Sequence, residues 1–239
     1  MMPMIPRSAV FAPSGATVFC LLIVLGACAD APPAAVPQAR APQPSAKAAT
    51  SPAATRPEVI FLGTSLTAAY GLDPSLGYPA RIQEFVDSAG LAYEVVNAGV
   101  SGETSATARR RLSWLLRERT PAVLVIETGA NDGLRGLDPD TLRANLEAMV
   151  AEAQALPTPP KLLLVGMQAL PNLGAAYAAR FAAVYRDVAA QRNVPLLPFL
   201  LVGVAGVDSL NQPDGVHPTA AGQRVVAKTV WSAVEPLLR

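Results

Sequence analysis

From Glu58 to the C-terminus, short apolar runs alternate with longer segments of helical spacing, and that alternation leaves few folds open to the chain. The run "AVLVIETG" (residues 122–129) is continuous and rich in β-branched side chains, as expected of a central parallel strand covered on both faces. "EVIFLG", "YEVVNAG", "KLLLVGM" and a short stretch within "VPLLPFLL" read as further strands. Pro195 and Pro198 push the last of these to a sheet edge, because proline cannot donate to a strand ladder. Between the strands lie helical patterns. "YPARIQEFVDSAG" has Pro79 near its start and Gly90 at its stop. In "TSATARRRLSWLLRER", Ala108, Leu112, Leu115 and Leu116 share one face. In "DPDTLRANLEAMVAEAQAL", Asp138 suits the N-cap and Pro139 the first turn. "AAYAARFAAVYRDVAAQRN" and the closing "PTAAGQRVVAKTVWSAVEPLL" complete the set. Five strands alternating with five helices predict a three-layer α/β domain with a parallel sheet, over residues 58–239. In such sheets ligands sit beyond the carboxyl ends of the strands.

Ahead of Glu58 the pattern changes. Residues 28–57 are rich in proline and alanine with almost no large apolar side chains, so they bury too little surface to offset their ordering entropy and read as a disordered tether. Residues 1–27 carry one charge, Arg7, then an apolar core from Thr17 to Leu25 that is short for a bilayer span. This is the pattern of a secretory signal, and its end, Leu25-Gly26-Ala27-Cys28, resembles a bacterial lipobox with Cys28 as the lipidated first residue of the mature chain. A plain signal cleaved nearby and an uncleaved anchor are the alternatives. The expected location is the bacterial cell envelope, lipid-anchored and facing the periplasm. Cys20 and Cys28 are the two cysteines of the chain, so a mature domain has no disulfide and no thiolate chemistry. With 19 basic against 18 acidic residues and 5% aromatics, nucleic acid is not an expected partner.

Four polar clusters follow strand ends. Ser65 follows the first strand; Gly99, Ser101 and Gly102 the second; Gly129, Asn131 and Asp132 the third; Asp214 and His217 the fifth and its loop. Each alone has an ordinary reading. Ser65 opens the helix-like stretch "LTAAYG" and suits a helix cap. Gly102 is turn punctuation, and Asn131-Asp132-Gly133 is a good turn sequence. His217 could be structural, but it is the one histidine of the chain. Their convergence on one sheet edge is the stronger signal. A serine hydroxyl is a poor nucleophile until a base accepts its proton, and His217 can do so. Asp214, three residues earlier, can hold the other ring nitrogen and set the tautomer. The Gly102 N–H, with no side chain to block it, and the Asn131 amide can receive an oxyanion, each such donor being worth about 3 kcal/mol of barrier. This chemistry calls for no cofactor or metal.

The set Ser65, Gly102, Asn131 and His217 resembles the four blocks of the SGNH, or GDSL, hydrolase family, and "VSGETS", "GANDGLRG" and "PDGVHP" are similar to bacterial esterases of the thioesterase, lysophospholipase and arylesterase type. The resemblance runs from about Val59 to the C-terminus. It implies a flavodoxin-like α/β/α sheet in the order 2-1-3-4-5. It also implies Ser65 as nucleophile, Asp214 and His217 as its partners, and Ser65 N–H, Gly102 N–H and Asn131 as the oxyanion hole. The expected substrate is a small acyl ester or lipid-like molecule, attacked through an acyl-enzyme. A carbohydrate O-deacetylase and a non-catalytic binding lipoprotein are the rivals, and turnover of acetate against longer esters separates them. Thr64 stands where the family motif has aspartate, and Ala130 where glycine is common. Thr64 is expected to offer an acceptor oxygen to nearby backbone N–H groups. Arg135 reads as a solvated loop residue or a guide for an anionic substrate, Arg109, Arg110 and Arg111 as a solvated helix face, and "LPFLLVGVAGV" as core or acyl-pocket lining.

Overall fold

A computed structural model describes residues 55–239. The leader over residues 1–27, the lipobox Cys28 and the tether up to residue 54 lie outside the described residues. Arg56 is tied to the domain, its guanidinium donating to Asp87 Oδ1 at 2.8 Å and to the Leu91 carbonyl at 3.1 Å.

The strands β1 (Glu58–Gly63), β2 (Glu94–Gly99), β3 (Val123–Glu127), β4 (Lys161–Val165) and β5 (Leu196–Leu197) form one all-parallel sheet in the order β2-β1-β3-β4-β5. Val59 to Leu62 and Val123 to Ile126 are buried throughout, because β1 and β3 are interior strands with helices over both faces. β5 is a two-residue edge strand. The carbonyls of Pro195 and Leu197 accept from Leu164 and Gly166 at 2.9 and 2.8 Å, so the absent proline N–H costs no ladder bond.

The helices are α1 (Tyr78–Ser88), α2 (Ser105–Glu118), α3 (Ala130–Leu134), α4 (Pro139–Gln154), α5 (Ala175–Arg192) and α6 (Ala220–Leu238). Right-handed crossovers dictate their sides. The β1–β2 connection runs one way along the sheet and all later ones run the other, so α1 lies opposite α2, α4 and α5. α6 returns to pack on α1, while α4 packs on both α2 and α5. Asp138 caps α4 as expected, its carboxylate accepting from Asp140 N at 3.1 Å.

Two local expectations are corrected. α3 is a short helix within "ANDGL", where the residues suggested a turn. The stretch after Ser65 is not a helix but a series of turns, closed by the unequal bonds Ala68 N to Thr64 O, Tyr70 N to Ser65 O, and Leu72 N to Ala69 O. Ala69, at φ +57°, breaks any helical run.

Candidate active site

Adjacent strands β1 and β3 have connections that leave in opposite directions, so a crevice opens between their carboxyl ends. Ser65 leaves β1 into this crevice and Asn131 leaves β3 into it. Because the Ser65 turn is not a helix, its carbonyls need partners from elsewhere. Leu66 O accepts from Gln223 Nε2 of α6 at 3.2 Å, Thr67 O from Asn97 Nδ2 of β2 at 3.0 Å, and Tyr70 O from Gln212 Nε2 at 2.7 Å. Side-chain amides from three places far apart in sequence thus clamp the turn, and Ser65 caps no helix.

His217 reaches Ser65 from the loop before α6, its Nε2 lying 2.9 Å from Ser65 Oγ. Its Nδ1 lies 2.6 Å from Asp214 Oδ2. The other carboxylate oxygen, Asp214 Oδ1, accepts from the backbone N–H groups of His217 and Val216 at 3.0 and 2.9 Å. The bond from the His217 backbone N–H, joined by those from its imidazole and from Val216, lowers the Asp214 pKa to about 2. A carboxylate so held fixes the proton on Nδ1 and leaves Nε2 to accept from the serine. Tyr70 covers the ring, with centroids 4.7 Å apart.

Gly102 and Asn131 line the same cleft as Ser65 and His217. Among the described residues, neither the Ser65 nor the Gly102 N–H has an acceptor. Gly102 sits at φ +77°, a conformation that suits glycine. One Asn131 amide hydrogen goes to the Glu103 carbonyl at 3.0 Å, which orients the group and leaves a second hydrogen for a ligand.

Each of these loops also rests on a buried acid that its local sequence did not announce. Glu103 pairs with Arg111, whose Nε and Nη2 lie 2.9 and 2.5 Å from its two oxygens. Arg111 is therefore partly buried and structural, which corrects its reading as solvated; Arg109 and Arg110 are exposed as expected. Asp132 accepts from the N–H and hydroxyl of Ser105 at the start of α2, at 2.8 and 2.6 Å. Glu127, at the end of β3, accepts from Thr64 N at 2.8 Å and from its hydroxyl at 3.0 Å. Thr64 thus donates its hydroxyl, where it was expected to accept. Arg135 is exposed but bonded, its Nη2 donating to the Gly102 carbonyl at 3.0 Å.

The cleft measures about 870 Å³ and is mostly apolar, with Leu134, Met167, Leu170, Phe199 and Leu201 among its walls. The run "LPFLLVGVAGV" divides between both of its readings: Leu200 and Val204 are fully buried core, while Phe199 and Leu201 face the cleft.

Residues 61–225 match the GDSL-like Lipase/Acylhydrolase family. The chain is 46% identical over 180 residues to esterase TesA of Pseudomonas aeruginosa, covering 75% of this chain and 89% of that one. It is 33% identical over 180 residues to thioesterase 1/protease 1/lysophospholipase L1 of Escherichia coli K12, covering 75% and 84%. Its fold superposes on the crystal structure of the psychrotrophic esterase EstA from Pseudoalteromonas sp., inhibited by monoethylphosphonate, with a TM-score of 0.72 and 32% identity over 76% of this chain and 98% of that one.

Proposed function

The chain belongs to the GDSL-like Lipase/Acylhydrolase family and is a hydrolase of ester bonds, and we propose that it works through a Ser65–His217–Asp214 triad and an acyl-enzyme. The observation that carries this reading is the continuous hydrogen-bonded chain from Asp214 Oδ2 through the imidazole to Ser65 Oγ, at 2.6 and 2.9 Å. Ser65 Oγ attacks the ester carbonyl while His217 Nε2 takes its proton. The carbonyl oxygen becomes an oxyanion held by Ser65 N–H, Gly102 N–H and the free Asn131 amide hydrogen. The tetrahedral carbon then expels the alcohol, which receives the proton from the imidazolium and leaves acyl-Ser65. Water, deprotonated by His217, releases the acid and restores Ser65. The test is covalent: a fluorophosphonate should form an adduct that maps to Ser65, and an adduct on any other residue would overturn the assignment.

The apolar walls support acyl esters, thioesters or lysophospholipid-like substrates with chains longer than acetate, since buried apolar area favours longer chains by roughly 0.8 kcal/mol per methylene. Asn131→Ala is expected to lower kcat about a hundredfold or more with little change in KM, because its bond strengthens only as the oxyanion forms. A change confined to KM would make Asn131 a substrate-binding residue instead.

We further propose that the protein is held at the bacterial cell envelope, facing the periplasm, by lipid on Cys28. The support is the Leu25-Gly26-Ala27-Cys28 run at the end of an apolar core. Cys28→Ser should abolish incorporation of a labelled fatty acid; undiminished incorporation would exclude Cys28 as the acceptor.

A further inference from the structure

Of the three buried acids beneath the site, two have ordinary compensation: Glu103 has Arg111, and the Asp132 carboxylate accepts from Ser105 at the N-terminus of α2, where the helix dipole favours a negative charge. Glu127 has neither. It is fully buried, and among the described residues no cation pairs with it. Among the described residues, every hydrogen bond to its carboxylate comes from the turn that carries Ser65. Oε2 accepts from Thr64 N at 2.8 Å and Thr67 Oγ1 at 2.7 Å, and Oε1 accepts from Thr64 Oγ1 at 3.0 Å. The packing there has no slack, since a Cβ on Gly63 would overlap Thr67 and come within 2.8 Å of Glu127 Oε2.

We propose that Glu127 is the positioning residue of the nucleophile, holding the Thr64 amide and the Thr64 and Thr67 hydroxyls so that Ser65 Oγ and Ser65 N–H face the cleft together. The proposal rests on the reading of Ser65 as nucleophile. The turn cannot satisfy these three donors by helix formation, and a buried donor left unpaired is costly enough to move the backbone. Thr64, the departure from the family motif, fits this partner: its hydroxyl donates to Glu127, where an aspartate would set a second carboxyl against the first.

The hold does not need the charge. Burial pushes Glu127 up to about 7, against the pull of the bonds from Thr64 and Thr67. A protonated carboxyl still accepts at Oε2 and donates from Oε1 to Thr64 Oγ1, whose hydroxyl turns to accept. A glutamine side chain offers the same pattern. The titratable groups facing Glu127 are Tyr78 of α1, bonded to Thr67 Oγ1 at 2.6 Å, and Tyr185 of α5, bonded to the Thr128 carbonyl at 2.8 Å. Burial holds both phenols well above their usual range, so they stay neutral. Arg111 of α2 reaches the Gly63 carbonyl at 3.3 Å, but its charge is met by Glu103.

The experiment compares full-length variants on p-nitrophenyl acetate and by rate of fluorophosphonate labelling. Glu127→Met, close in volume but without acceptors, should lower kcat and the labelling rate about thirtyfold, with KM within about twofold. Thr64→Val, which leaves Glu127 in place, should lower kcat about fivefold, and it carries the kinetic test if Glu127→Met does not fold. Glu127→Gln should restore kcat to within about threefold of wild type. Ionisation of Glu127 costs the folded state as pH rises from 4.5 through about 7, so Glu127→Gln should melt above wild type at pH 8, with the gap closing by pH 5. Wild-type kcat in Glu127→Met, a loss confined to KM, Glu127→Gln as impaired as Glu127→Met, or a melting gap that ignores pH would each overturn the proposal and leave the nucleophile reading standing. Failure of wild-type Ser65 to label would remove that reading, and this proposal with it.

Discussion

Ser65→Ala is expected to lower kcat for a p-nitrophenyl ester by about 10⁴-fold or more and to abolish fluorophosphonate labelling. The side chain is small and near the cleft surface, at 9% exposure, and its hydroxyl bonds to His217 alone among the described residues. Removing one oxygen therefore deletes the attacking atom but none of the bonds that shape the turn, which run through Thr64, Leu66, Thr67 and Tyr70. The melting temperature should stay within about 2 °C of wild type, as expected when no core contact is lost. The Gly102 and Asn131 donors survive, so a residual rate above water should persist, as it does when a triad fails and its oxyanion hole remains. A variant that keeps more than a tenth of wild-type turnover, or that still labels, would exclude Ser65 as the nucleophile.

Asp214→Asn is expected to cost about 10³- to 10⁴-fold in kcat with the fold intact. Asp214 Oδ2 can only accept, so the proton stays on His217 Nδ1 and Nε2 keeps a lone pair for Ser65. An asparagine that turns its amide toward Nδ1 draws the proton to Nε2, and the ring then faces the serine as a donor. Asp214 Oδ1 meanwhile holds two backbone N–H groups of its loop, a role the asparagine oxygen can keep. The lowered pKa has a consequence for pH dependence. With the carboxyl titrating at about 2, the bonds it makes are complete above the usual aspartate range and are lost only as pH falls toward 2. An acid limb in kcat/KM well above that pH therefore does not report Asp214. A loss below tenfold in Asp214→Asn would mean that the loop backbone alone orients the ring.

The layout of the domain was legible from the strand and helix patterns because those patterns are local. β1, β3 and β4 bury continuous apolar runs, and caps such as Asp138 act within two residues. The short edge strand was legible from Pro195 and Pro198. The Ser65 turn was misread as a helix because "LTAAYG" has helical propensity, which here loses to amides from Asn97, Gln212 and Gln223. Arg111 was misread because a run of three arginines looks solvated unless its buried partner, Glu103, is seen in space.

By itself, then, the sequence determined the order of elements, the sheet edge that carries the site and the residue types at each strand end. Chain order and local periodicity suffice for that, since a parallel α/β sheet puts every strand's carboxyl end on one side. The tertiary structure alone decided how those residues are held. His217 meets Ser65 across 152 positions, and Glu127 meets Thr64 across 63. A buried carboxyl with no cation leaves no local signature. Its partners are an amide and two hydroxyls on another strand's loop, and only the folded packing brings them within hydrogen-bond reach.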